Sequence, residues 1–372
     1  MNLQAAVNDL SQTTEVLRRQ IQGGIQIGAQ IYASLDGKPV ADLGIGDSRP
    51  GVAMTPDTVM LWMSATKPLA AVALAQLWER GQLELDDPIA KHVPEFAQHG
   101  KESITLRHLL THTAPIRWAE TGWPDVPWDR IIAKVCAMRM ERDWPPGQKA
   151  GYSSITSWFI LGEVVRRIDG RDYAKYVRQE IFEPLGMNDS WVAMPPQVFR
   201  AYGTRLGIMQ KTEGGDVTDA GLDTEAACTH ARPAGSGHGP ARELGRFYEM
   251  LLARGALGSA RIVSPQSVEA LTARHRAGML DLTFRHILDW GLGFQVNSNQ
   301  YGVDTVPYGF GPHASYRTFG HNGHQSTSAF ADPERKLAVA IICNGMPGEP
   351  AHDRRMREIH TSIYEDLDLT NA

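Results

Sequence analysis

The chain predicts an α+β fold: an antiparallel sheet built from N- and C-terminal segments and flanked by helices, beside a mainly helical region. Three observations carry this reading. Alternating strand-like segments lie toward both ends, the middle has helical periodicity, and Gly, Pro and Asp-Gly turns separate the pieces.

Met1 to Gln22 reads as an amphipathic helix with Leu3, Val7, Leu10, Leu17 and Ile21 on one side. Residues 25–32 alternate like a half-buried strand, Asp36-Gly37 is a hairpin turn signal, and 40–45 returns. An Ala- and Leu-rich helix starts near Ser64 and stops at Gly81. Further helices are expected over 104–110, 154–168 and 241–252. Residues 195–235 show little periodicity and read as a long irregular connection, the kind of segment that often rims a pocket. Late strands are expected over 291–296, 316–319, 325–331 and 337–343, and a last helix over 354–367. We expect one catalytic unit over 1–372, with 1–60 and 236–372 carrying the sheet and 61–235 mainly helical.

Composition narrows the function classes. A chain of 372 residues can bury a large core, and its net charge of −5 without any Lys/Arg block leaves no nucleic-acid footprint. Cys136, Cys228 and Cys343 are odd in number and far apart, so free buried thiols are expected rather than disulfides or a metal set. The start lacks a basic stretch followed by an apolar run, and no window is apolar enough to span a bilayer. A soluble, cytoplasmic protein is the expectation.

The chemistry centres on Ser64-Ala65-Thr66-Lys67-Pro68. Residues three apart on a helix share a face, so Ser64 and Lys67 should point the same way. Alone, the pattern also fits a serine that merely caps a helix. Other polar residues have plainer readings. His108 and His112 have metal-ligand spacing on a helix, but Leu109 stands where a zinc protease needs Glu, so they read as structural. His321 and His324 should face opposite ways from a strand. His230, His238 and His313 fall in expected loops, where solvent-facing histidines are common. Gly235-Ser236-Gly237 fails the nucleophile-elbow spacing and reads as backbone freedom. Among Trp62, Trp118, Trp123, Trp128 and Trp144, Trp118 could wall an apolar acyl pocket.

Several motifs in order then resemble one family. Ser64 to Pro68, the 104–113 run ending His112-Thr113, Pro146-Gly147 before Gly151-Tyr152-Ser153-Ser154, 182–187, and Gly320-His321-Asn322-Gly323 are similar to the serine β-lactamase and penicillin-binding-protein superfamily. The likeness is to its class C-related, esterase-like branch. The resemblance implies a β-lactamase/transpeptidase-like fold with Ser64 as nucleophile, Lys67 beside it and Tyr152 as second basic group. It places His321, Asn322 and Gly323 on the strand edging the site. The backbone N–H groups of Ser64 and His324 would form the oxyanion hole.

Chemistry fits these residue types if their pKa values move. Free Lys and Tyr titrate near about 10.4 and 10, so a base at neutral pH needs a shift of roughly three units. Burial helps a lysine and hinders a tyrosine. We therefore expect a coupled Lys67/Tyr152 base, with Lys67 and a protonated His321 supporting any phenolate. Two departures bear on substrate. Ser154 stands where this branch usually has Asn, and His321-Asn322 replaces the usual Lys-Thr, removing the cation that would meet a β-lactam carboxylate. Both favour a small ester over a β-lactam. The alternatives are a β-lactamase or D-amino peptidase activity, or a non-catalytic scaffold. No cofactor and no metal are implied, and the oligomeric state is undetermined.

Overall fold

The computed structural model describes residues 10–370, so the expected helical positions Leu3 and Val7 lie outside the described residues. Eight strands form one antiparallel sheet. They are β1 (Gly28–Leu35), β2 (Lys38–Arg49), β3 (Val52–Ala53), β4 (Asp289–Trp290), β5 (Gln295–Val296), β6 (Phe319–Asn322), β7 (Thr327–Asp332) and β8 (Leu337–Cys343). Their order is β4-β5-β6-β7-β8-β1-β2-β3, so the two ends of the chain join where β1 pairs β8 from Ala29↔Cys343 to Leu35↔Leu337. Five helices matter for the site: α1 (Ser11–Gln22), α2 (Lys67–Glu79), α3 (Thr156–Asp169), α4 (Ala241–Leu252) and α5 (Glu349–Asp366).

The sheet centre is apolar on both sides because helices cover both. All seven residues of β8 are buried, and its period of two divides them between two cores. Leu337, Val339, Ile341 and Cys343 join the core containing Leu17 of α1 and Ile359 and Ile363 of α5. Ala338, Ala340 and Ile342 join the larger core with α4 and α2. Asp366 ties the termini together by accepting from the backbone of Gln12 and Thr13. The three cysteines are free and buried. Among the described residues, no helix is long and apolar enough to cross a membrane.

Several expected bounds move, each for a local reason. The segment 291–296 is a hairpin between β4 and β5, because Gly293 takes φ +79° and turns the chain. A Cβ there would lie 2.7 Å from that of Ala71. The strand expected over 325–331 starts at Thr327, since Gln325 has φ +47° in the turn after β6. The last helix begins at Glu349, where Pro350 falls in its first turn. The connection 195–235 is not irregular throughout. It holds helices Pro196–Tyr202 and Glu225–Thr229 and the paired strands Gln210–Lys211 and Thr218–Asp219, each too short to register a period.

Candidate active site

The approach to Ser64 is held on both sides. Leu61 pairs with His238, and Trp62 donates its backbone N–H to Gly237 O (2.7 Å) and its indole N–H to Gly239 O (2.9 Å). Met63 then takes φ +51°, a conformation rare for a residue with a side chain, which persists where surroundings over-determine it. A 3-10 turn over Met63–Thr66 follows, and α2 proper begins only at Lys67. Ser64 therefore sits in the turn before the helix rather than capping it. Gly235 and Gly237 serve close packing here, not freedom: a Cβ on Gly237 would lie 2.6 Å from Thr66 Oγ1.

Lys67 Nζ lies 2.9 Å from Ser64 Oγ and donates to Ala234 O at 2.7 Å. The residue is 0 % exposed. Burial, seconded by the charge of Arg232, holds its pKa well below the ordinary lysine value. Ala234 is the contribution of the 195–235 connection: the segment supports Lys67 from behind, and none of it lines the pocket in front of Ser64.

Tyr152 and His321 complete the cluster. Burial pushes the Tyr152 phenol upward, and the hydrogen bond it shares with Ser64 offsets this only in part. His321 cannot be the expected protonated neighbour, because burial and then Lys67 lower its pKa to about 3. Its Nδ1 lies 2.8 Å from Asn322 O, a pure acceptor, so Nδ1 carries the proton and Nε2 is a bare acceptor. Burial thus favours the neutral phenol at Tyr152 over a phenolate.

The placement of Tyr152 rests on residues that sequence reasoning missed. Buried Asp281 accepts from the N–H groups of Tyr152 (3.1 Å), Thr283 (2.9 Å) and Phe284 (3.1 Å). It is paired with buried Arg276 at 3.0 Å. The Tyr152 ring packs against His112, Phe284 and Trp290 at centroid distances of 4.6, 5.0 and 5.7 Å. Asp281 followed by two residues whose N–H groups it accepts is a short-range turn signal, but nothing local ties it to Tyr152.

The N–H groups of Ser64 and His324 have no acceptor among the described residues. Gly323, just before His324, lets β6 come against the Ser64 turn: a Cβ there would meet Trp62 O at 2.6 Å and Met63 Cβ at 2.7 Å. Gly323→Ala should push the strand from the turn. A displacement of about 1 Å can cost roughly 10²-fold in rate. We expect a loss of about that size in ester kcat/KM, with unchanged circular dichroism.

A pocket of about 480 Å³ opens on Ser64 and is lined by Tyr152, Ser154, His321 and Asn322 among others. The Asn322 amide is committed to Gln295 Oε1 and Tyr308 O, so it fixes the pocket wall. Trp118 does not line this pocket. It is 59 % exposed and borders a neighbouring recess that shares Tyr152, Ser154 and Thr283. His230 is exposed, as expected, but His108, His112 and His238 differ from expectation. The helix ends at Leu110, and His112 has φ +57°, so His108 and His112 share no helical face. His238 is buried, not solvent-facing. Although burial opposes it, Asp223 and Cys228 raise its pKa to about 10.

Comparison with known proteins identifies the family. The family model described as Beta-lactamase matches residues 17–361. The chain belongs to the Beta-lactamase family. It is 24 % identical over 346 residues to Esterase/beta-lactamase LipL of Mycobacterium tuberculosis, covering 85 % of this chain and 77 % of that protein. Penicillin-binding protein 4 of Amycolatopsis lactamdurans is 30 % identical over 302 residues, covering 79 % and 74 %. The crystal structure of a penicillin-binding protein homologue from Caulobacter crescentus superposes with a TM-score of 0.78 at 29 % identity, covering 95 % and 98 %. The antiparallel sheet and flanking helices are those of this family.

Proposed function

We propose that this Beta-lactamase family member is a serine hydrolase that forms an acyl-enzyme on Ser64 and acts on small carboxylic esters. The observation that carries the reading is the 2.9 Å approach of a fully buried Lys67 amine to Ser64 Oγ, with no carboxylate paired to that amine among the described residues. An uncharged amine there can take the serine proton as Oγ attacks the ester carbonyl. The free N–H groups of Ser64 and His324 would receive the oxyanion, usually the largest single catalytic term. The Tyr152 phenol would give its proton to the departing alkoxide and recover one from the Lys67 ammonium. Water then hydrolyses the acyl-enzyme with the same groups in reverse.

Ester preference over β-lactam has its own support. Among the described residues no Lys or Arg lines the Ser64 pocket, burial disfavours a charge on His321, and His324 lies against Glu349 at 3.2 Å, so a substrate carboxylate finds no permanent, unpaired cation. The second reading, a β-lactamase or D-amino peptidase activity, is favoured by the likeness to Penicillin-binding protein 4. A scaffold without activity is disfavoured because Ser64, Lys67 and Tyr152 are brought together intact. The test sets p-nitrophenyl butyrate beside a chromogenic cephalosporin, with mass spectrometry to locate a fluorophosphonate adduct. We expect rapid ester turnover, negligible cephalosporin turnover and the adduct on Ser64. Faster cephalosporin turnover would favour the second reading, and no adduct would leave the scaffold.

A further inference from the structure

The wall that α5 gives the Ser64 pocket has a charge and composition that the ester reading does not explain. Glu349 and Asp353 of α5 both line it. They stand four apart on one helix, so their like charges face the same way and destabilise the pair by themselves. Glu349 has the helix N-terminus and the side chains of His324 (3.2 Å), Tyr308 and Gln325. One turn later Asp353 has the Tyr308 N–H and the Arg357 charge, and burial and then Glu349 still push its pKa up, so a cation beside it would be stabilising. Between these acids and Ser64 runs an aromatic wall. Tyr152 and Phe284 are 5.0 Å apart, and Phe284 and Tyr308 5.9 Å. Aromatic faces and carboxylates together are the recognition chemistry of an ammonium group.

An independent feature marks the same pocket as built for a polar ligand. His321 is 2 % exposed and lines it, and its bare Nε2 meets no protein donor. A buried acceptor of this kind calls for a donor from whatever is bound, and it repels a carboxylate. We propose that the Glu349/Asp353 wall of the pocket binds an alkylammonium group, so that the substrates are esters or amides carrying a cationic amine at one end. The assignment deepens the hydrolase reading, and it is tested without relying on turnover.

Calorimetric titration of the full chain with hexylammonium, 1-hexanol and hexanoate separates charge from chain length. Hexylammonium should bind at least about ten-fold tighter than hexanol, a factor worth about 1.4 kcal/mol, and hexanoate weakest of the three. The advantage of the cation should shrink with added salt and vanish in the Glu349→Gln/Asp353→Asn variant. Because the comparison is between ligands on one protein, a change in that variant's stability does not mimic the result. Hexylammonium binding no tighter than hexanol, or an advantage that survives the double substitution, overturns the ammonium site. Tight hexylammonium binding without Ser64-dependent esterase activity upholds the site while the hydrolase reading fails.

Discussion

Replacing Lys67 by Met should lower kcat/KM for p-nitrophenyl butyrate by about 10⁴-fold or more, and Ser64→Ala should cost as much. Residues that act as a unit lose nearly everything on the first substitution. The double variant should therefore be no slower than either single one. Tyr152→Phe removes a proton donor and leaves the base, so its loss should be smaller, about 10²-fold. The pH profile separates the roles further. On the proposed mechanism Lys67 acts unprotonated, so kcat/KM should rise with pH through its titration and level off above it. Burial holds that titration well below the usual lysine range. With its pKa lowered to about 3, His321 should contribute no inflection between roughly pH 5 and 9. A Lys67→Met variant that kept a tenth of wild-type activity would exclude Lys67 as the base.

Asp281→Ala should be the most damaging substitution for stability, at about 3–5 kcal/mol, because it strands the buried guanidinium of Arg276. Three backbone N–H groups lose their acceptor at the same time. Arg276→Met in the Asp281→Ala background should recover part of the loss, since it removes the uncompensated charge. Urea midpoints for the two single variants and the double variant give the coupling directly. Additive effects would show that the pair is not the unit described. Activity should fall too, since Asp281 holds the backbone that carries Tyr152.

Much of this was legible in the sequence where a signal is local or repeats along the chain. Apolar runs at both ends foretold a sheet built from the two termini, and the four-residue reach from Ser64 to Lys67 foretold their contact. Segments of two to seven residues within 195–235 were not legible, because no period develops over so short a length. The histidines were least legible. His321 and His238 are both buried, yet one is driven to about 3 and the other to about 10. Burial drives His321 down, whereas at His238 Asp223 and Cys228 outweigh burial.

The sequence by itself determined the fold class, from periodicity and turn chemistry, while Ser64 and Lys67 stood out as candidates through the family resemblance that the motifs carry in order. Only the tertiary structure decided the protonation states, the Asp281–Arg276 support beneath Tyr152 and the acidic, aromatic wall of the pocket. Several of these depend on groups more than a hundred residues apart in sequence, such as Tyr152 and Asp281 at a separation of 129. Electrostatics is set by distance and burial in space, and a sequence pattern records neither.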